Sequence, residues 1–134
     1  VMARAVTVYV TFKADLSKYV AHRPAILQWF VNPEASFGDL GMGLLRAIQP
    51  WNEWIMGWGF DISKGEPEVT EAQVRARLNA FVGEEIQEVE IEKVSYWYVN
   101  QTWATQYSVG RVFCGGDAVH RHPPSSGLGS NTCM

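Results

Sequence analysis

The sequence predicts an α+β fold that consists mostly of an antiparallel sheet with a few helices. Several segments of the 134-residue chain alternate apolar and polar residues with a period of two, which is typical of half-buried strands. Turn residues separate these segments at short intervals, as they do between antiparallel strands. Near the C-terminus the pattern changes to a short apolar run, a glycine-rich loop and a polar helix start. That order predicts a strand–loop–helix segment of an α/β domain.

The N-terminal part supplies the strand and turn patterns. Residues 4–13 place β-branched residues at alternate positions and predict a strand. Residues 15–20 predict one helical turn with Asp15 as its cap. Residues 25–31 predict another strand, and residues 37–48 remain ambiguous between strand and loop because of their glycines.

Residues 53–61 alternate large and small side chains, which predicts a strand. Its large residues share one face, and its glycines lie on the other, where a backbone or ligand can approach. The large residues are candidates for stacking on the ring of a ligand, and the alternative is that they belong to an ordinary core. These candidates are Trp54, Met56, Trp58 and Phe60.

The middle of the chain contains the clearest helix. Thr70 and Gln73 form a capping box, apolar residues follow at helical spacing, and Gly83 ends the helix. Residues 88–97 alternate again and predict a strand. Residues 101–107 suggest an irregular or helical connection.

Composition excludes several classes of protein. The 47% of hydrophobic residues indicates a globular chain, and the net charge of -3 gives no reason to expect nucleic acid or an anionic membrane as partner. No apolar run approaches the ~20 residues that a membrane span needs. Two cysteines are too few for a secreted disulfide scaffold, so we expect a cytoplasmic protein.

The stretch from residue 112 to residue 132 carries the functional signal. Residues 112–114 are long enough for a buried strand, and the glycine pair that follows permits a sharp turn or close approach to a ligand. Asp117 comes next and is placed to accept hydrogen bonds from ligand hydroxyls. Prolines then stiffen the loop, and residues 127–131 provide the start of a helix, which favours phosphate. Together these features predict a site for a nucleotide cofactor.

The same stretch resembles the second flavin fingerprint of the FAD-dependent aromatic hydroxylases, the family of phenol hydroxylase. Gly116-Asp117-Ala118-Val119-His120 and the two prolines match it, and the downstream glycines continue the match. Residues 12–16 and 46–54 are similar to the bacterial chlorophenol branch. Only residues 116–132 are specific enough to carry roles.

The resemblance implies that Asp117 holds the ribityl chain of FAD and that the proline loop lies against the flavin ring. It also implies contacts of the glycine-rich segment with the ring or the pyrophosphate. The cofactor-binding residues expected on this basis are Gly116, Asp117, Pro123, Pro124, Gly127, Leu128, Gly129 and Asn131. His122 is expected to pack beside the flavin and the substrate.

The implied activity is ortho-hydroxylation of a phenol or chlorophenol with NADPH and O2, through a flavin hydroperoxide. Another planar aromatic substrate, such as a hydroxybenzoate or a polyketide, is the alternative. The Trp54-to-Phe60 face carries no Arg or Lys, which favours an uncharged phenol. No catalytic base can be assigned.

Other interpretations of the motif remain open. An isolated Gly-Asp pair would ordinarily be a turn, and only the downstream constellation favours FAD contact. His120 and His122, with Cys114 and Asp117, would suit a metal enzyme, but Pro123 and the absence of a further histidine cluster favour structural roles and no metal. Either histidine would also suit a proton shuttle.

The domain organisation expected is that of a fragment. Residues 1–108 are predicted to belong to a substrate-binding sheet domain, and residues 109–134 to form the second FAD-binding segment. No G-x-G-x-x-G motif occurs, so the N-terminal Rossmann unit that the family implies is absent here. The isolated chain is therefore expected to be inactive, or to have no catalytic role at all, and the parent protein is expected to be a homo-oligomer.

Overall fold

Antiparallel strands form most of the computed structural model, which describes residues 2–33, 42–65, 68–122 and 131. The chain divides into two units, Val6–Trp97 and Tyr98–Met134 together with Val1–Ala5. The elements that supply the larger unit are β1 (Met2–Lys13), α1 (Ser17–Val20), β2 (Leu27–Val31), β3 (Met42–Gln49), β4 (Glu53–Phe60), α2 (Glu71–Val82) and β5 (Glu90–Trp103). The strands lie side by side in the order β2-β3-β4-β1-β5. The predicted fold class, a mostly antiparallel sheet with few helices, is confirmed.

One face of this sheet forms the core. The register of β1 and β4 sets large side chains opposite each other, for example Val10 opposite Met56 and Phe12 opposite Trp54. Seven residues of β1 and β4 on this face are at most 5% exposed, namely Val6, Val8, Val10, Phe12, Trp54, Met56 and Trp58. Burial of this apolar surface is the main stabilising contribution to the unit.

Helix α2 covers the core face. Thr70 and Gln73 form both hydrogen bonds of the predicted capping box, and Gly83 ends the helix in the left-handed conformation with φ 86°. Phe81 of α2 stacks on Phe30 of β2, with ring centroids 5.6 Å apart. A Cβ atom at Gly43 would lie 2.1 Å from Cζ of Phe81, so this glycine of β3 lets the helix pack close to the sheet.

The sequence left residues 37–48 ambiguous between strand and loop, and the described part of this segment forms a strand. Residues 42–49 form β3, and residues 37–41 lie outside the described residues. Glycine weakens a strand, but it is favoured where another element must approach the backbone closely. The sequence pattern alone did not reveal that Gly43 has this packing role.

The predicted turn at residues 15–20 exists as α1. Asp15 accepts a hydrogen bond from the Ser17 backbone N–H at 2.9 Å, although Leu16 occupies the position directly before the helix. Hydrogen bonding from the Ser17 side chain, and then from its backbone N–H, lowers the pKa of the Asp15 carboxyl below its ordinary value. At the other side of α1, Lys18 and Tyr19 both donate hydrogen bonds to Glu84, just beyond α2.

The smaller unit contains short strands. β5 continues to Trp103 where an irregular or helical connection was predicted, and its end pairs with β8 (His120–Arg121). β6 (Ser108–Val109) and β7 (Val112–Phe113) form a hairpin. Val112 and Phe113 are 67% and 79% exposed, so the expectation of a buried strand at residues 112–114 is wrong for the described structure. The pairing partner of β7 here is a strand of only two residues, which cannot cover its side chains.

None of the helices in the described part of the chain is both long enough and apolar enough to cross a membrane.

Candidate functional site

The glycine turn after β7 is built by local backbone bonds. The Cys114 N–H donates to the Tyr107 carbonyl at 2.9 Å, which closes the β6–β7 hairpin. Gly116 has φ 59°, a left-handed conformation that glycine adopts without strain. The chain then makes a 3-10 turn over Gly116–Ala118, and the Val119 N–H donates back to the Gly116 carbonyl at 3.0 Å.

Asp117 lies within this turn and is exposed to solvent. A Cβ atom built on Gly115 would meet no other atom within 4 Å, so the turn has open space beside it. An exposed carboxylate beside open space can accept hydrogen bonds from the hydroxyls of a ligand. Gly116 and Asp117 lie three and four residues after the end of β7, and their contact with a cofactor stays a prediction.

The remaining residues of the predicted fingerprint are only partly described. Pro123, Pro124, Gly127, Leu128 and Gly129 lie outside the described residues. Asn131 is described, and it is helical and exposed. Their proposed contacts with the cofactor stay predictions.

The two histidines after the turn lie next to each other. The ring centroids of His120 and His122 are 4.5 Å apart and the ring planes are inclined by 58°. His120 belongs to β8 and pairs with Trp103. Within the ranges that the structure describes, no group of three or more His, Cys, Asp or Glu side chains is placed to hold a metal ion. The proximity of His122 to flavin and substrate is untested and stays a prediction.

The four aromatic and Met candidates of β4 lie on the core face. Trp54 and Met56 are 0% exposed and Trp58 is 5% exposed, while Phe60 is partly buried against the same core. The indole Nε1 of Trp54 donates to the Ala14 carbonyl at 3.1 Å and to the Trp51 carbonyl at 2.9 Å. This burial supports the core interpretation of these residues. Their role in substrate contact stays a prediction.

The opposite face of the sheet, here called the open face, carries its own aromatic residues. Alternation along each strand places there the side chains that are not in the core, and the strand registers set Tyr9 beside Gly57 and Leu44 beside Trp29. Trp29 is 64% exposed. Tyr9 is half-buried, and its ring lies 6.1 Å from that of Trp97.

The open face also carries a cation. Arg46 is exposed and lies between Leu27 and Ile55 in the strand register, on the face away from α2. The absence of Arg and Lys was noted for the Trp54-to-Phe60 face, which is the core face. The core face also has a cation beside it, because the guanidinium of Arg77 in α2 lies 4.6 Å from the centre of the Trp58 ring. The charge pattern therefore does not select an uncharged substrate.

A solvent-open groove of about 490 Å³ lies at the C-terminal end of β1. Its lining carries both signs of charge, from Lys13, Asp15, Glu88 and Glu90. Among the predicted site residues that the structure describes, none lines this groove.

The antiparallel sheet is joined in one chain to a glycine turn whose exposed aspartate can accept hydrogen bonds from the hydroxyls of a nucleotide cofactor. A family model described as "FAD binding domain" matches residues 2–134. The chain belongs to this family of FAD-binding domains.

Individual relatives agree with the family. The chain is 46% identical over 133 residues to 2,4-dichlorophenol 6-monooxygenase of Cupriavidus pinatubonensis (strain JMP 134 / LMG 1197), covering 99% of the chain and 22% of that protein. It is 42% identical over 127 residues to phenol 2-monooxygenase of Pseudomonas sp. (strain EST1001), covering 93% of the chain and 20% of the relative. The chain thus spans about a fifth of the length of these relatives.

A solved structure gives the same fold. The crystal structure of the flavin-dependent monooxygenase PieE, in complex with FAD and substrate, matches with a TM-score of 0.67 at 40% sequence identity. The match covers 97% of this chain and 22% of that one.

The described residues of the turn fit the polar part of FAD. The open space at Gly115 admits a ligand close to the backbone, and the exposed Asp117 offers acceptors for the hydroxyls of a ribityl chain. The left-handed φ of Gly116 is what turns the chain there.

Proposed function

We propose that this chain is part of a longer FAD-dependent monooxygenase that hydroxylates phenol or a chlorophenol at the ortho position. The observation that carries the proposal is the exposed Asp117 in its glycine turn, in a chain of the FAD-binding family. Its similarity to a dichlorophenol and a phenol monooxygenase supports the substrate class.

The turn would hold the cofactor. Gly116 and Asp117 would contact the ribityl chain of FAD, with the Asp117 carboxylate accepting hydrogen bonds from its hydroxyls. Pro123 and Pro124 would lie against the flavin ring, and Gly127, Leu128, Gly129 and Asn131 would contact the ring or the pyrophosphate. FAD, when bound, would supply the redox chemistry of a hydroxylation that uses NADPH and O2.

The sheet would orient the substrate and exclude water. The open face presents Tyr9, Trp29 and Trp97, whose rings can stack on a planar aromatic ligand. A dry pocket over this face strengthens the hydrogen bonds that position a phenol oxygen. No residue of the chain is proposed as catalytic base.

A second substrate class is favoured by one specific residue. Arg46 places a positive charge on the open face, opposite Ile55. A guanidinium in that position would pair with the carboxylate of a hydroxybenzoate, or with a phenolate oxygen. Comparison of the two substrates therefore discriminates the two functions.

The wider organisation follows from the same proposal. Residues 1–108 would belong to the substrate-binding domain and residues 109–134 to the FAD-binding domain of a cytoplasmic homo-oligomer. The isolated chain would be inactive because most contacts with the adenosine half of FAD would come from elsewhere in the protein.

The test is steady-state NADPH oxidation by the full-length protein, with phenol, 2,4-dichlorophenol and 4-hydroxybenzoate compared. The proposal expects oxidation stimulated at least about tenfold by a phenol, with ortho-hydroxylated product detected by mass spectrometry. Stimulation by 4-hydroxybenzoate that Arg46→Met removes would favour the second class instead. Stimulation by none of the three compounds would contradict both.

A further inference from the structure

Gly57 and Tyr9 form an unusually close contact on the open face. A Cβ atom at Gly57 would lie 2.9 Å from Cε1 and 3.0 Å from Cδ1 of Tyr9, and 3.3 Å from Cγ of Leu44. Because no side chain fits there without displacing the ring, the glycine lets Tyr9 lie down on the sheet. Gly59 has the same orientation two residues further along β4, yet a Cβ atom there would meet nothing within 4 Å. The close approach is therefore a property of Gly57 and Tyr9.

The position of the Tyr9 ring is set on two further sides. Its ring is tilted by 34° to that of Trp97 at a centroid separation of 6.1 Å. The Ser95 hydroxyl donates to the Tyr9 carbonyl at 3.4 Å, which ties the backbone of β1 to β5. Burial raises the pKa of Tyr9 above its ordinary value.

We propose that Tyr9, held against the sheet by Gly57, is a specificity-determining residue that limits the aromatic substrate of this protein to a single ring. This inference rests on the proposed function. A Tyr9 ring that packs against Gly57, with Trp97 beside it, would form one wall of the substrate site, and we expect this wall to admit one planar ring and to obstruct a fused second ring. Raising the Tyr9 ring would narrow the space, and removing it would widen the space.

Two substitutions should change the space available to the substrate in opposite directions. Gly57→Ala pushes the Tyr9 ring away from the sheet, so phenol should bind at least about tenfold more weakly, within the range that a single misplaced methyl group produces. The matched control Gly59→Ala adds the same methyl group on the same face and strand, where it meets nothing. It should leave phenol affinity within about twofold of the wild type.

Tyr9→Ala should instead admit a larger substrate. The ratio of kcat/KM for 2-naphthol to that for phenol should rise at least about tenfold. Tyr9→Phe keeps the ring and should keep this ratio. Since the clash at Gly57 is with Tyr9, the double variant Gly57→Ala, Tyr9→Ala should lose the binding defect of Gly57→Ala.

The experiment titrates full-length protein with phenol and with 2-naphthol, following the perturbation of bound-flavin absorbance, and then measures turnover. Equal phenol affinities for Gly57→Ala and Gly59→Ala, or a substrate ratio that Tyr9→Ala leaves unchanged, would overturn the inference while the hydroxylase activity stands. If Gly57→Ala does not fold, the double variant decides: an unchanged substrate ratio there overturns the inference. A wild type that binds no flavin or ignores every phenol would instead overturn the proposed function, and this inference with it.

Discussion

At the scale of single residues, Trp54 links three parts of the larger unit. Its indole N–H is shared between the Ala14 and Trp51 carbonyls, and its ring is fully buried in the core face of the sheet. Its centroid lies 6.2 Å from that of Trp51, at a stacked angle of 25°. The residue therefore joins β4 to the segment after β1 and to the turn before β4.

Trp54→Phe should lower the stability of the unit. The substitution removes the donor for two carbonyls and leaves a gap in the core, which together cost about 2–4 kcal/mol. The measurement is thermal unfolding of the full-length protein, with Trp29→Phe as the control. Trp29 is 64% exposed, so its substitution should change stability by less than about 0.5 kcal/mol. Equal midpoints for the two variants would show that Trp54 does not hold these segments together.

At the scale of secondary-structure elements, a cluster of charged and polar side chains connects the two helices. Lys18 and Tyr19 of α1 both donate to the Glu84 carboxylate, two residues beyond the end of α2. These two donors lower the pKa of Glu84, while the bond to Glu84 raises the pKa values of Lys18 and Tyr19. The contact is therefore complete at neutral pH and depends on an ionised Glu84.

The contact should give a defined pH dependence. Because the pKa of Glu84 is lowered in the folded state, its contribution is fully present above the usual value of 4.5 and is lost as the pH falls through the lowered value. Glu84→Gln should thus unfold at a lower temperature than the wild type at pH 7, and the difference should disappear in stronger acid. Glu85→Gln, which changes the exposed neighbouring carboxylate, is the control. A difference that persists undiminished in strong acid would contradict this origin.

The elements also show what sequence patterns can predict. The capping box and Gly83 predicted α2 because the signals of a helix end lie in a few neighbouring residues. The strand faces were harder, since β4 alternates but does not reveal which side a helix will cover. The large residues of β4 were candidates for ligand contact or for the core, and they pack in the core together with residues of α2, while Tyr9 and Arg46 lie on the other face. That choice depends on long-range packing, such as the approach of Phe81 to Gly43.

At the scale of the whole molecule, the chain combines a sheet unit with a turn that belongs to an FAD-binding family. The turn could be predicted because two glycines and an aspartate are consecutive at residues 115–117, and glycine readily adopts the left-handed conformation that such a turn needs. The exposure of Val112 and Phe113 could not be predicted, because it depends on which other strands lie beside β7. An apolar strand of this kind is typical of a sheet buried on both sides.

The measurement that tests the central claim most directly is the bound-flavin absorbance near ~450 nm of full-length Asp117→Ala beside the wild type. Asp61→Ala is the matched control. Asp61 is an aspartate directly before a short 3-10 turn, Ile62–Lys64, but it lies in the other unit. The account predicts that the wild type and Asp61→Ala purify with FAD and that Asp117→Ala loses it or binds it at least about tenfold more weakly, as expected for loss of charge-assisted hydrogen bonds. Full retention of FAD by a folded Asp117→Ala protein would contradict the assignment of Asp117 as the flavin contact.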